Sequence, residues 1–190
     1  MVIGPNLVRD MRNGEAGAVD ALLRSAFPGP EEAELVRALR VSAEMVAELV
    51  LPWEGRIGAY AGISRMAAPV NWFCLAPVAV WPEWQRGALG KGRGERNSWH
   101  FGSWLMQMIA EAWAMGVGKR LLNGQWQEGD EPATLVVLGK PSFYARAGFS
   151  LARAALLRSP YAIDHTLILR PGADVPEAEL VYPAAFSGLD

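Results

Sequence analysis

The 190-residue sequence predicts an α/β (α+β) domain, a central mixed, mostly antiparallel sheet flanked by helices. Three observations carry this prediction. Two stretches near the N-terminus repeat apolar residues at helical spacing. The middle of the chain then switches to strand-like runs joined by a compact turn. A strongly amphipathic helix follows and leads to a second apolar strand.

Taken in order, Leu7 to Asp10 reads as a first short strand. From Ala18 to Phe27, Val19, Leu22, Leu23 and Ala26 recur with a helical period. After Pro28, Gly29 and Pro30, a second helix spans Glu31 to Arg40. Its acidic first turn suits the positive end of the helix dipole, and Val36 and Leu39 give it an apolar face. Met45 to Trp53 and Arg56 to Ala67 read as two strands meeting at Glu54 and Gly55. Trp72 to Val80 is nearly all apolar, the pattern of a strand covered on both faces, and Pro82 closes it. Gly102 to Met115 is the strongest helix, with Leu105, Met108, Ile109, Ala112 and Trp113 on one stripe. An apolar strand from Leu135 to Leu138 ends at Gly139, a short helix follows over Pro141 to Arg146, and strands return near Ser150 to Leu157 and His165 to Leu169.

With 51% hydrophobic and 20% charged residues, the chain has the apolar content to close one core, so residues 1–190 read as one domain. A net charge of -2 leaves no global footprint for nucleic acid or an anionic membrane. The single cysteine, Cys74, excludes an internal disulfide framework and fits a reducing compartment. The stretch from Met1 to Arg12 lacks the pattern of a secretory signal, and no apolar run reaches the roughly 18 residues that span a bilayer. A cytoplasmic protein is the expectation.

Two segments carry chemistry. The first is LAPVAVWPEWQ over residues 75–85, followed by a glycine-rich basic loop and the strong helix. A strand that delivers the chain to a loop and then to a helix N-terminus aims backbone N–H groups at an anion. Arg86, Lys91, Arg93 and Arg96 against Glu95 concentrate positive charge there within a net-acidic chain. The competing reading is a solvated insertion, because glycine and arginine are common in exposed loops. The second segment is VVLGKPSFYARAGF over residues 136–149. Here an apolar strand ends in glycine, proline opens a short helix carrying Tyr144, and Gly148 lets the chain turn. Taken by itself, Tyr144 reads as a packed aromatic before it reads as an acid.

Other constellations fail on spacing. The run at Gly87 to Gly92 has no Ser or Thr after Lys91, so it is not a Walker A loop, and Gly90, Gly92 and Gly94 do not form a dinucleotide fingerprint. His100 and His165 lack Cys or clustered carboxylate partners, so no metal is expected. No G-x-S-x-G elbow is present, and Cys74 in its apolar strand reads as inert core. Trp72 and Trp113 have core positions. Trp81, Trp84 and Trp99 flank the basic loop, where packing, an acceptor pocket or a homodimer contact are the readings.

Together the two segments resemble the GNAT N-acetyltransferase superfamily, and within it a branch of predicted bacterial acetyltransferases. That branch carries patterns like L-A-P-L-A-V-x-P-x-x-Q and V-L-G-x-P-x-Y-Y-x-R-F-G-F. AF at 26–27, ELVRALR at 34–40, VAE at 46–48 and LVYPAAF at 180–186 are also similar to the branch, so the resemblance covers nearly the whole chain. It implies a GNAT-like domain that binds acetyl-CoA as co-substrate, without metal, and transfers the acetyl group directly to a small-molecule or peptide amine. It also implies that the strand from Leu75 to Val80 splays from its neighbour. Val78, Ala79 and Val80 would then meet the pantetheine arm through their backbone, and one N–H would face the thioester oxygen. Gly139 joins this cofactor-binding set, and Tyr144 would donate a proton to the departing thiolate.

The sequence departs from the superfamily at the diphosphate loop. Gln85 and Arg86 open a loop in which Ala88 replaces the first glycine. Gly102 and Ser103 close it, with about a dozen residues inserted between the two halves. The general base is open as well: Glu48 and Glu83 are candidates, each also readable as a paired or solvated carboxylate. The rival reading from another class is a non-catalytic acyl-CoA sensor or interaction module on the same fold.

Overall fold

A computed structural model describes residues 8–53, 55–85, 106, 109–110 and 132–188. Six strands form the main sheet: β1 (Arg9–Asp10), β2 (Met45–Trp53), β3 (Arg56–Arg65), β4 (Trp72–Val80), β5 (Thr134–Leu138) and β7 (Thr166–Leu169), in the order β1-β2-β3-β4-β5-β7. Every pair is antiparallel except β4 with β5. That exception follows from connectivity, since parallel neighbours need a long crossover and residues 81–133 supply it. Two further strands, β6 (Leu157–Arg158) and β8 (Ala178–Glu179), pair parallel in a small second sheet.

Helices α1 (Ala16–Ala26) and α2 (Glu31–Val41) cover one face of the main sheet. Val19, Leu22 and Leu23 of α1 pack with Val50, Tyr60 and Ala79. Leu35 and Leu39 of α2 join Trp72, Cys74, Val136 and Ile168, together with Leu180 and Phe186 from the C-terminal segment. The opposite face gathers Leu49, Leu51, Ile63, Phe73 and Leu75 against the helical residues Met106 and Ile109, both buried. Burial of this kind contributes roughly 1.5–3 kcal/mol per large apolar side chain, which fixes the register of every central strand. No helix among the described residues is long and apolar enough to cross a membrane.

The expected elements are found with small shifts at their ends, apart from the segment Ser150 to Leu157. Ser150 makes one isolated bridge to Ile168, a 3-10 turn covers Ala152–Ala154, and only Leu157–Arg158 is extended. The run LARAA over 151–155 explains the difference, since it has no β-branched or aromatic residue to favour a pleated strand. Of the helix expected over Gly102 to Met115, Met106, Ile109 and Ala110 are helical, and the rest lies outside the described residues.

Candidate functional site

The site begins where β4 leaves β5. Their parallel pairing runs only from Trp72 to Cys74, opposite Thr134 to Val136. Beyond Cys74, β4 stays paired with β3 as far as Val80, while β5 turns to β7 through Val137 and Leu138. Leu75 to Ala79 therefore carry no ladder partner on the β5 side among the described residues. A strand in the middle of a sheet does not normally leave that edge open, because unpaired backbone groups cost free energy when shielded from water. A slot bounded by polar backbone results, and the resemblance placed one at these residues.

A bulge in β4 shapes the slot. Ala61 pairs with Val78 and Ile63 pairs with Leu75, so Gly62 alone faces Ala76 and Pro77. Pro77 has no N–H to give a ladder, and bulges are where strands accommodate proline. The extra residue reverses the alternation of faces. Phe73 and Leu75 point to the Met106 face before the bulge and Val78 and Val80 after it, while Ala79 returns to the α1 face. Gly62 permits this approach: a Cβ there would stand 3.0 Å from the Ala76 carbonyl oxygen and 3.0 Å from the Tyr60 hydroxyl.

At the end of β5, Gly139 and Tyr144 form one wall. Helix α4 (Pro141–Tyr144) starts with proline at its first turn, which sets φ for helix entry. The Tyr144 ring lies so close over Gly139 that a Cβ at 139 would be 2.5 Å from its Cε2 atom. Phe143 and Phe149 hold the ring edge-on, at centroid distances of 5.0 and 5.8 Å. Gly148 ends the segment in the left-handed region, at φ 87°. The half-buried Tyr144 hydroxyl makes no hydrogen bond among the described residues. Burial pushes its pKa up to about 12, and the neighbouring Cys74 thiol adds to the rise. Cys74, at the last paired position before the strands part, is buried and pushed up to about 12 by desolvation. Such a thiol is a poor nucleophile, as its apolar strand predicted.

Both carboxylates considered as bases are paired. Glu48 on β2 is held by Arg40 of α2 at 2.6 Å and accepts a hydrogen bond from Tyr60 at 2.8 Å. Glu83, in the short helix α3 (Pro82–Gln85), meets Arg56 at 2.7 Å on the surface; a backbone hydrogen bond and Arg56 lower its pKa. Arg56 also lies over the Trp81 ring, whose Nε1 donates to the Ile57 carbonyl, so Trp81 packs the end of β4. His165 is exposed at a strand start. Among the described residues, no group of three or more His, Cys, Asp or Glu is gathered.

Of the cofactor-binding set, the structure brings Val78, Ala79 and Val80 to the parted strand and Gly139 to its mouth, beside Tyr144. Gln85 ends α3, and nothing of its side chain is described. Arg86, Gly102 and Ser103 lie outside the described residues, as does the basic loop between them. Sequence reasoning missed Gly62, Tyr60 and the bulge. Two signals were available: a proline inside an apolar strand run, and a lone glycine inside the neighbouring one.

No protein-family model matches the sequence, and a search of curated proteins finds no relative. Solved structures do resemble the fold. A GNAT family N-acetyltransferase (YhbS) from Escherichia coli, determined in complex with CoA, superposes with a TM-score of 0.69 at 24% identity, covering 100% of this chain and 98% of its own. A GNAT family acetyltransferase from Brucella melitensis, in complex with acetyl-CoA, gives 0.62 at 24% identity, over 94% and 96%. The ribosomal-protein-S18-alanine N-acetyltransferase of Escherichia coli gives 0.51 at 16% identity, over 87% and 94%. The chain thus has the GNAT fold: a mixed, mostly antiparallel sheet between helices.

Proposed function

We propose that the chain is an acyltransferase that moves an acetyl group from acetyl-CoA to an amine by direct attack. The observation that carries this reading is the parting of β4 from β5 after Cys74, with the Gly139–Tyr144 wall at its mouth. A slot edged by strand backbone suits an extended ligand with amides of its own, which joins the sheet as an added strand would. The pantetheine arm of acetyl-CoA is such a ligand, and the structural neighbours crystallised with CoA or acetyl-CoA support the choice.

In this reading Val78, Ala79 and Val80 grip the pantetheine through their backbone, and one N–H of the stretch faces the thioester oxygen, where negative charge develops. Gln85, Arg86, Gly102 and Ser103 hold the diphosphate. Tyr144 serves the leaving group. As the C–N bond forms and the C–S bond breaks, its hydroxyl donates a hydrogen bond to the departing sulfur, and the released thiolate takes any proton it needs from water. A free thiol ionises near pH 8.5, well below this tyrosine, so full proton transfer to the thiolate is uphill throughout and the hydroxyl acts as a hydrogen-bond donor to the charge building on sulfur. Tyr144 therefore accelerates the step without being indispensable. With Glu48 and Glu83 both ion-paired, the surplus amine proton goes to water.

Calorimetric titration with acetyl-CoA and with CoA tests the binding half, and thiol release over a panel of amines tests transfer. Micromolar binding followed by amine-dependent thiol release is the expected result. Absence of binding would remove the reading, and binding with no turnover would leave an acyl-CoA sensor.

A further inference from the structure

Lysine occurs in this chain at positions 91, 119 and 140 only, although lysine and arginine together number 18. Lys140 is the one lysine among the described residues, and it stands at the mouth of the slot. It follows Gly139, over which the Tyr144 ring lies, and precedes Pro141, which opens α4. Backbone hydrogen bonds pin it there. The Gly139 N–H donates to the His165 carbonyl at 2.9 Å. The Lys140 carbonyl accepts from the Phe143 N–H at 3.0 Å and from the Tyr144 N–H at 3.4 Å. The root of the lysine and the tyrosine assigned to the leaving group are thus parts of one short turn.

The side chain is uncommitted. Lys140 is exposed, and its nitrogen enters no ion pair or hydrogen bond among the described residues. Its neighbours along this wall are weaker nucleophiles. The Arg146 guanidinium keeps its proton and has no lone pair to give, and Cys74 is buried. The exposed Ser142 hydroxyl has no base bonded to it among the described residues, and an unassisted hydroxyl attacks poorly. Reach decides whether the amine meets an acyl group. A Cβ at 139 would be 2.5 Å from Tyr144 Cε2, so standard bond lengths put the Lys140 Cα within about 10 Å of the Tyr144 hydroxyl. An extended lysine carries its nitrogen about 6 Å from its Cα. The gap that remains, at most about 4 Å, is close to the separation of about 3–3.5 Å from which reacting atoms attack.

We infer that Lys140 is a self-modification site: the chain acetylates this lysine from acetyl-CoA held in its own slot. This rests on the acetyl-transfer reading above. The ammonium first gives a proton to water. The nitrogen then attacks the thioester carbonyl, so that the N–C bond forms and the C–S bond breaks. Coenzyme A leaves as the thiolate, hydrogen-bonded by Tyr144, and the nitrogen loses a second proton to water. The product carries a neutral amide at the mouth of the slot where an ammonium stood.

The test incubates the full chain with trideuterated acetyl-CoA, which marks new acetyl groups, and follows each lysine by peptide mass spectrometry. Calorimetry measures acetyl-CoA binding alongside. A tether this short holds the amine at a millimolar effective concentration, so with acetyl-CoA at about 50 μM Lys140 should react at least about tenfold faster than in the urea-unfolded chain. At saturating acetyl-CoA the rate per molecule should stay constant as protein concentration changes, because donor and acceptor share one chain. With no amine added, the parent should release a burst of about one equivalent of thiol. Lys140→Arg keeps the charge and should bind acetyl-CoA within about twofold of the parent, yet lack that burst. A Lys140 rate no higher than in the unfolded chain, a rate that climbs with protein concentration, or an undiminished burst in Lys140→Arg would overturn the site. Failure of the parent to bind acetyl-CoA would instead overturn the transfer reading beneath it.

Discussion

Gly139→Ala separates packing from chemistry at the mouth of the slot. The new Cβ would stand 2.5 Å from Tyr144 Cε2, and 3.4 Å from both Cδ2 and Cζ. Carbon atoms settle at about 3.5–4.0 Å, so the ring must retreat by about 1 Å. It has little room to do so, because Phe143 and Phe149 hold it edge-on from two sides. Overpacking of this kind costs about 1–3 kcal/mol. Gly139 is not in the left-handed region, so alanine returns about 0.4–1 kcal/mol by narrowing the unfolded ensemble. Midrange values, about 2 less about 0.7 kcal/mol, leave a net loss of about 1.3 kcal/mol, which corresponds to a Tm lower by about 3–5 °C in a chain of this size. Displacing a proton donor by about 1 Å lowers kcat by up to about 100-fold, and by less here because thiolate leaves readily. Thermal unfolding and stopped-flow thiol release read the two effects separately. The double variant Gly139→Ala/Tyr144→Phe should be no slower than Tyr144→Phe, since both changes act through one hydroxyl. An unchanged Tm would refute the packing argument, and a parental kcat in a destabilised variant would refute the role of the hydroxyl.

Tyr144→Phe should lower turnover about 10–100-fold while leaving CoA affinity within about twofold; equal turnover would remove Tyr144 from the mechanism. With its pKa pushed up to about 12, Tyr144 stays protonated at ordinary pH, so the parent's rate should show no alkaline loss assignable to this group below about pH 11. Stability behaves differently at high pH. Burial raises both Tyr144 and Cys74 to about 12 in the folded protein, above the values near 10 and 8.5 expected for the unfolded chain. The folded state then holds more protons, so this contribution is complete below about pH 8.5 and is lost as pH rises toward 12. Tm should fall steadily between pH 9 and 11, and a flat Tm would contradict the burial of these groups. Native-state hydrogen exchange should show β4 amides of Trp72 to Cys74 protected irrespective of the edge they face. Within Leu75 to Ala79 only those directed at β3 should be protected, and uniform protection there would mean that β4 and β5 do not part.

How much of this was legible in the sequence depended on whether a signal was local. The apolar runs at Met45 to Trp53 and Trp72 to Val80 gave both strands at their observed bounds, because alternation and length are written in consecutive residues. Gly139 and Tyr144 were marked by a strand end, a glycine and a helix-opening proline within six residues. The reason for that glycine was not legible, since only the fold shows the Tyr144 ring lying over it. The Ser150 to Leu157 segment misled through hydropathy: Leu151, Ala152, Ala154 and Leu157 supply apolar area without the side-chain shape that favours extended backbone. Glu48 was visible as a central carboxylate, but its partners Arg40 and Tyr60 come from a helix and another strand. No spacing along the chain encodes that triad.

The bulge joins these pieces into one device. Were Ala76 and Pro77 both in regular strand alternation, Val78 would point to the α1 face and Ala79 to the Met106 face, bringing a valine to the crowded contact with Tyr60 and Leu22 that alanine now fills. The bulge keeps both faces packed while the backbone between them shifts by one residue. That shift is tolerable only if the strand opposite gives way, which Gly62 does by having no side chain, and only if the strand on the other side stops pairing, which β5 does after Val136. Proline, glycine and the parted edge are therefore mutually dependent. Adding a side chain at residue 62 presses on the Ala76 carbonyl from one side of β4, just as a zipped β5 would from the other.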